Sequence, residues 1–144
     1  MSKTNFILLT LILSTFAFGQ FGQSKDCTYE KDYLGRTVMN CKDGTKGTYD
    51  TDYLGRTTYK DNKGTKGTFD KDYLGRTTYK DNKETKATYS TDYLGRTTYE
   101  DNKGTKGTFD KDYLGRTIYK DNKGRDCVYE TDYLGRKVLK CNPN

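Results

Sequence analysis

Large side chains recur along this chain at every tenth position: Tyr29, Met39, Tyr49, Tyr59, Phe69, Tyr79, Tyr89, Tyr99, Phe109, Tyr119, Tyr129 and Leu139. Each is flanked by threonines, charged residues and glycines, as in Gly47-Thr48-Tyr49-Asp50-Thr51 and Thr57-Thr58-Tyr59-Lys60-Asp61. Thr/Tyr-rich runs of about five residues suit β-strands and carry no helical period. Glycine every few residues disfavours helix further.

Two turn signals separate the runs. Asp52-Tyr53-Leu54-Gly55 has Asp at the first position of a type I turn and Gly where a left-handed residue must follow, which predicts a three-residue hairpin loop closed by a glycine bulge. Asp61-Asn62-Lys63-Gly64 has the same chemistry. The first loop then sets Asp52 against Arg56, Thr51 against Thr57, Tyr49 against Tyr59 and Thr48 against Lys60. The second sets Phe69 against Thr57 and leaves Gly67 opposite Tyr59. Each strand thereby contributes one large side chain to one face, with small residues beside the rings. That stripe reads as the core, and the Asp–Arg pair as an exposed hairpin clamp worth under ~1 kcal/mol.

The pentapeptide Asp-Tyr-Leu-Gly-Arg occurs six times at intervals of twenty residues, beginning at Asp32, Asp52, Asp72, Asp92, Asp112 and Asp132. A fixed period of this length marks one supersecondary unit copied in series. The predicted fold is all-β: an elongated array of six hairpin repeats starting at 27, 47, 67, 87, 107 and 127, with about twelve short antiparallel strands as a meander or β-solenoid, and the repeat does not decide whether the sheet stays open, curls closed or winds into a solenoid. The fourth unit is the main irregularity, with Glu84, Ala87 and Ser90 in place of Gly, Gly and Asp, and reads as drift.

Cys27, Cys41, Cys127 and Cys141 occur only in the first and last units, at identical repeat positions. The register places Cys27 opposite Cys41 and Cys127 opposite Cys141, at sites where side chains come closest. Two disulfides, 27–41 and 127–141, are therefore expected. A shared zinc site is disfavoured by the separation of the two pairs and the absence of histidine. The end units also carry Val38, Val128 and Val138 and exchange the aromatic partner for Met39 or Leu139, so the disulfides read as caps on fraying ends.

Residues 1–19 differ in kind. Lys3, the apolar run Phe6 to Phe18 and Ala17-Phe18-Gly19 read as a signal peptide, followed by a linker at 20–26 and one β-repeat domain at 27–144. A secreted, extracellular or periplasmic protein that does not span a membrane after cleavage is expected. The formal charge is +6, but acids and bases are interleaved in every unit, so the excess reads as a solvated surface and not as a nucleic-acid stripe. The charged fraction of 32% raises disorder, which the 14% aromatic content and its strict placement oppose.

With no histidine, no tryptophan and every thiol assigned, a Ser/His or Cys/His centre cannot be built, and no catalytic residue, cofactor or metal is expected. Asp50 and Asp52 near a glycine raise calcium, but without the spacing of an EF-hand loop. The repeated threonines raise an ice-binding array, but they alternate with Lys60 and Asp50.

The stretch Tyr59-Lys60-Asp61-Asn62-Lys63-Gly64-Thr65-Lys66-Gly67-Thr68-Phe69 resembles the twenty-residue choline-binding and glucan-binding cell-wall repeats, although tryptophan is absent. That resemblance implies stacked β-hairpins with aromatic pockets between units. Tyr49-Asp50 followed by Gly55-Arg56 resembles the tyrosine–aspartate repeats of large secreted bacterial shells, with two extra residues between the pairs.

A non-enzymatic binding module for a surface glycan or cell-surface protein is the expected function. Its candidate contacts are the turn tips Tyr53, Leu54, Tyr73, Leu74, Tyr93, Leu94, Tyr113 and Leu114. These tips either line one edge, free to stack on a partner, or fold back over the aromatic face. The alternative is a structural or adhesive protein that self-associates through a tyrosine-rich sheet or exposed edge strands.

Overall fold

Each Thr/Tyr run forms a strand, and each Asp-x-x-Gly signal forms a turn. The computed structural model describes residues 26–142. The signal segment expected at 1–19 and the linker before Asp26 lie outside the described residues. The strands are β1 (Cys27–Lys31), β2 (Thr37–Cys41), β3 (Lys46–Thr51), β4 (Thr57–Asp61), β5 (Lys66–Lys71) and β6 (Thr77–Asp81). They continue as β7 (Lys86–Thr91), β8 (Thr97–Asp101), β9 (Lys106–Lys111), β10 (Thr117–Asp121), β11 (Asp126–Thr131) and β12 (Lys137–Cys141).

The register follows the turns. Tyr49 lies opposite Tyr59 and Thr51 opposite Thr57, while Phe69 faces Thr57 and Gly67 faces Tyr59. The Asp52 amide donates to the Arg56 carbonyl at 2.9 Å and the Gly55 amide to the Asp52 carbonyl at 3.0 Å, with Gly55 at φ 82°. This is the type I turn with its glycine bulge. Any other L-residue at that φ costs roughly 1–2 kcal/mol.

The six hairpins do not form an elongated row. β1 pairs antiparallel with β12, setting Cys27 opposite Leu139 and Tyr29 opposite Lys137, so the sheet is a closed twelve-stranded barrel. The hairpins are consecutive parts of one sheet, not the stacked units of a solenoid. Tyr59 faces Tyr49 on one side and, on the other, Gly67, two residues short of the equivalent Phe69. Repeated around the ring, this step gives a stagger of about 12 residues and the strand tilt that closure requires. Closure pairs the two strands that an open meander would leave as edges.

Closure also changes what the cysteines do. Both expected disulfides form, Cys27–Cys41 and Cys127–Cys141, each with Cα atoms 4.0 Å apart. They do not cap two distant ends. They lie on β11, β12, β1 and β2, four adjacent strands, and staple both sides of the seam where first and last strand meet. Each closes a short loop, worth about 3 kcal/mol in the chain-entropy picture. Disulfides of this kind persist in oxidising compartments, consistent with an extracellular location.

The ten-residue series fills the barrel. All twelve of its members are buried, none more than 4% exposed. Within a hairpin the rings pack closely, with centroids 4.6 Å apart for Tyr49–Tyr59 and 4.7 Å for Phe69–Tyr79. Between hairpins, Tyr49 meets Phe69 at 6.4 Å and Phe109 meets Tyr129 at 6.5 Å. Such pairs add about 0.5–1.5 kcal/mol each beyond the area they bury.

The second ring of each hairpin lies over a glycine of the strand before it. A Cβ on Gly67 would sit 2.4 Å from Tyr79 Cε2. In the fourth unit Ala87 fills this place, and the pair above it, Tyr89–Tyr99, is spaced at 5.0 Å. In the first and last units the buried Cys27 and Cys127 fill it, and the covering residue is the shorter Met39 or Leu139. A disulfide occupies the space a tyrosine would need, so the loss of the aromatic partner accompanies the cysteines and is not a fraying signal.

Candidate binding surface

The loops divide between the two ends of the barrel. The turns Asp32–Arg36, Asp52–Arg56, Asp72–Arg76, Asp92–Arg96, Asp112–Arg116 and Asp132–Arg136 each follow an odd-numbered strand, so all six emerge at one end. The turns that follow even-numbered strands, together with the residues flanking the barrel at 26 and 142, lie at the other.

At the first end the loops share one construction. Asp52 Oδ1 accepts from the amides of Leu54 and Arg56, both at 3.0 Å, and Oδ2 accepts from Arg56 Nε at 3.3 Å. The equivalent Arg–Asp contacts in the other five loops measure 2.7–2.9 Å. Partial desolvation opposes ionisation of Asp32, Asp72 and Asp112. Hydrogen bonds from the arginine and the loop amides outweigh it and hold these carboxyls below the usual range.

With the backbone tied down by Asp, the two central residues of each turn point into solvent. Tyr33, Tyr53, Tyr73, Tyr93, Tyr113 and Tyr133 are 93–95% exposed, and the adjacent leucines 60–70%. The tips do not fold back over the aromatic series, which is sealed inside. They form a crown of six Tyr-Leu pairs around one mouth, and among the described residues these twelve are the exposed large hydrophobics. The eight candidates Tyr53, Leu54, Tyr73, Leu74, Tyr93, Leu94, Tyr113 and Leu114 are all brought together. Closure adds Tyr33, Leu34, Tyr133 and Leu134, which a linear array would leave at its ends.

Inside this mouth the inward-facing residues at the strand ends pair across each hairpin. In the second and fourth units the pair is two hydroxyls, Thr51–Thr57 at 2.8 Å and Thr91–Thr97 at 2.9 Å. Lys31, Lys71 and Lys111 replace the first threonine in the odd units, and Lys137 replaces the second in the sixth. Lys137 breaks a position that is threonine in five units, a signal visible when the repeats are aligned.

Among the described residues the opposite end holds no comparable apolar tips. Asp61 Oδ1 accepts from the amides of Lys63 and Thr65 at 2.9 Å, while Oδ2 accepts from the Tyr59 hydroxyl at 2.9 Å. The same carboxylate–phenol contact recurs as Tyr79–Asp81, Tyr99–Asp101 and Tyr119–Asp121. Asn62 Nδ2 donates to the Gly44 carbonyl and its Oδ1 accepts from the Lys46 amide, so each loop is tied to the one before. Among the described residues no cluster of three or more His, Cys, Asp or Glu is placed to hold a metal, and both oxygens of Asp52 are already engaged. No helix among them is long and apolar enough to cross a membrane.

Comparison with protein-family models, curated proteins and solved structures gives no significant match.

Proposed function

We propose that this chain is a secreted, non-enzymatic binding module that engages a surface glycan with its crown of Tyr-Leu tips. The observation that carries the reading is the contrast in exposure. Every aromatic of the ten-residue series is buried, whereas six further tyrosines are held almost fully in solvent on turns whose backbones are individually clamped. Exposing twelve large apolar side chains at one end forgoes their burial, and apolar side chains gathered on one exposed end favour an interaction surface. Tyrosine suits sugar recognition because its ring stacks on an apolar sugar face while its hydroxyl stays hydrated or hydrogen-bonds.

Six equal tips predict weak single contacts that combine into avidity on a repetitive surface. The test is glycan-array binding of the mature protein and of a variant with all six crown tyrosines changed to serine. Binding to immobilised glycan should collapse in the variant while its melting temperature is kept. Undiminished glycan binding by that variant would sink the reading.

Self-association is the second reading, and the same exposed crown favours it in a crown-to-crown form. The route through a tyrosine-rich sheet face or free edges lacks its surfaces, since the face lines the interior and β1 pairs β12. Concentration-dependent dimerisation in light scattering, lost in the serine variant and accompanied by no glycan binding, would select this alternative.

A further inference from the structure

The crown mouth is not six-fold symmetric in charge. Between the fifth and sixth hairpins a recess of 240 Å³ is lined by Lys111, Arg116, Thr117, Glu130, Thr131 and Lys137, with Leu114 of a crown tip at its rim. Arg116 is paired with Asp112 at 2.7 Å, and Glu130 with Lys140, so both of those charges are already answered. The two lysines are not. Lys111 Nζ donates to Thr117 Oγ1 at 2.8 Å and Lys137 Nζ to Thr131 Oγ1 at 2.5 Å. Neither has a carboxylate within ion-pair distance among the described residues.

This arrangement is poor for stability. Each lysine replaces one threonine of a pair that in the second and fourth units bonds hydroxyl to hydroxyl. The substitution puts two ammonium groups on one recess, each hydrogen-bonded to a neutral threonine hydroxyl. Burial lowers the affinity of Lys111 for its proton and the charge of Lys137 lowers it further, with the Asp112 carboxylate offsetting part of the effect. Each ammonium has three donors and spends one on a threonine, leaving donors from both to converge on the recess. Two ammonium groups beside one recess without a direct ion pair, where the second and fourth units have a neutral hydroxyl pair, favour an anionic ligand.

We propose that the Lys111–Lys137 recess binds an oxyanion, a carboxylate or sulfate group, carried on an acidic glycan whose sugar ring lies against the Leu114 rim. The glycan part of this assignment rests on the crown reading above; the anion site itself does not. Charge-assisted hydrogen bonds from both ammonium groups hold the oxyanion, and Thr117 and Thr131 keep the two lysine side chains aimed at it. The site makes the module selective among glycans, since the Lys111–Lys137 recess is where two ammonium groups converge.

The experiment uses the folded mature protein and the variant K111Q/K137Q. Inorganic sulfate, oligogalacturonate and its carboxyl-reduced neutral counterpart are titrated by calorimetry, with sulfate also followed through the lysine Nζ resonances. Sulfate should shift the signals of Lys111 and Lys137 before those of other lysines. The variant should lose about tenfold or more in oligogalacturonate affinity, the loss expected for one charge-assisted contact or more, and keep its affinity for the neutral oligomer. Without ligand it should melt higher than the parent at low salt, because a repulsion has been removed, which also shows that it folds. Equal oligogalacturonate affinity in parent and variant, together with no selective sulfate shift, would overturn the site. A selective sulfate shift with no preference for the charged over the neutral oligomer would overturn the glycan as its source. The serine crown variant separates the two readings: if it keeps glycan affinity that K111Q/K137Q loses, the crown reading fails and the anion site stands.

Discussion

The loop at Asp52–Arg56 and the loop at Asp61–Thr65 use the same backbone turn and the same first step: one aspartate oxygen accepts two amides of its own loop. They differ in what the second oxygen does. At the crown, Asp52 Oδ2 takes the arginine of its own loop, so each loop is self-sufficient and touches solvent. At the other end, Asp61 Oδ2 takes a phenol rising from the barrel interior, and Asn62 and Lys63 reach back to the preceding loop. One turn type thus yields a floor laced around its circumference and a crown of independent tips. A tip that needs no neighbour can be rewritten, or occupied, without disturbing the fold, and that is the physical sense in which the crown is the available end.

The largest test of this contrast is alkaline pH. Burial first, then the neighbouring aspartate, pushes the phenols of Tyr59, Tyr79, Tyr99 and Tyr119 far above their ordinary value of 10.0, and burial does the same to Tyr49. A group whose folded-state pKa is raised contributes stability that is complete below its unfolded pKa and is lost as pH rises. Above about pH 10 each such tyrosine destabilises the fold by roughly 1.4 kcal/mol per pH unit, because the unfolded chain ionises it and the folded chain does not. Five together should unfold the barrel within a pH unit or two above 10, seen as circular dichroism loss coincident with the tyrosinate absorbance step. The serine crown variant should unfold at the same pH; an upward shift of its midpoint would mean that crown tyrosines, not the laced end, set alkaline stability.

Smaller, but more local, is the comparison of Asp101→Ala with Asp92→Ala. Asp101 is buried, and its loss leaves the Tyr99 hydroxyl, 2.6 Å away, and two loop amides without their acceptor, which should cost about 2–3 kcal/mol in chemical denaturation. Asp92 serves the amides of Leu94 and Arg96, but these and its guanidinium partner are returned to water, so its loss should be the smaller of the two. Burial opposes ionisation of Asp101, yet the Tyr99 hydroxyl and the Thr105 and Lys103 amides overcome it and hold its carboxyl below the usual 3.8. Its contribution is therefore complete above the unfolded-state value and fades as pH falls below it, so Asp101→Ala should also flatten the acid limb. Equal costs for the two substitutions would erase the distinction between the ends.

The strands, their register and both disulfides were legible because each depends on residues within one repeat. Gly55 fixes the bulge, the bulge fixes Tyr49 against Tyr59, and the same count sets Cys27 against Cys41. Closure depends on β1 meeting β12 across the whole chain, and no local motif encodes that pairing; only the accumulated two-residue step implies it. Misreading the ends followed directly, since Met39 and Leu139 look like frayed caps in a row and like packing against a disulfide in a ring. The exposure of Tyr53 and Leu54 was undecidable for a related reason. Whether a tip can fold over the aromatic face depends on whether that face is outside, and closure puts it inside. The eight Tyr-Leu tip residues were legible from the turn motif, and in the recess beside them Lys137 could have been flagged as a lysine in a column of threonines.

The smallest expected effect lies in the loop that departs from the pattern. Every crown turn has glycine at its left-handed position, whereas the laced end has Glu84 there, at φ 63°. A non-glycine residue in this region carries a penalty of roughly 1–2 kcal/mol, part of which is returned because glycine loses more backbone entropy on folding. Glu84→Gly should therefore stabilise the protein by about 0.5–1 kcal/mol, read as a small rise in melting temperature. The loop tolerates Glu84 because its position is over-determined: the Glu84 carbonyl accepts from Asn102 Nδ2 at 2.9 Å, and the Asp81 carboxylate holds the Lys83 and Thr85 amides at 2.8 and 2.9 Å. A crown loop lacks the tie to its neighbour. Gly75→Ala, at φ 77° with open space around its Cβ, should then lower stability by at least the amount Glu84→Gly adds, and should loosen the Tyr73-Leu74 tip, seen as faster amide exchange at Leu74. If Gly75→Ala left both the melting temperature and that exchange unchanged, the crown loops would be as well braced as the laced end, and their independence would be lost as an explanation for why they present apolar side chains to solvent.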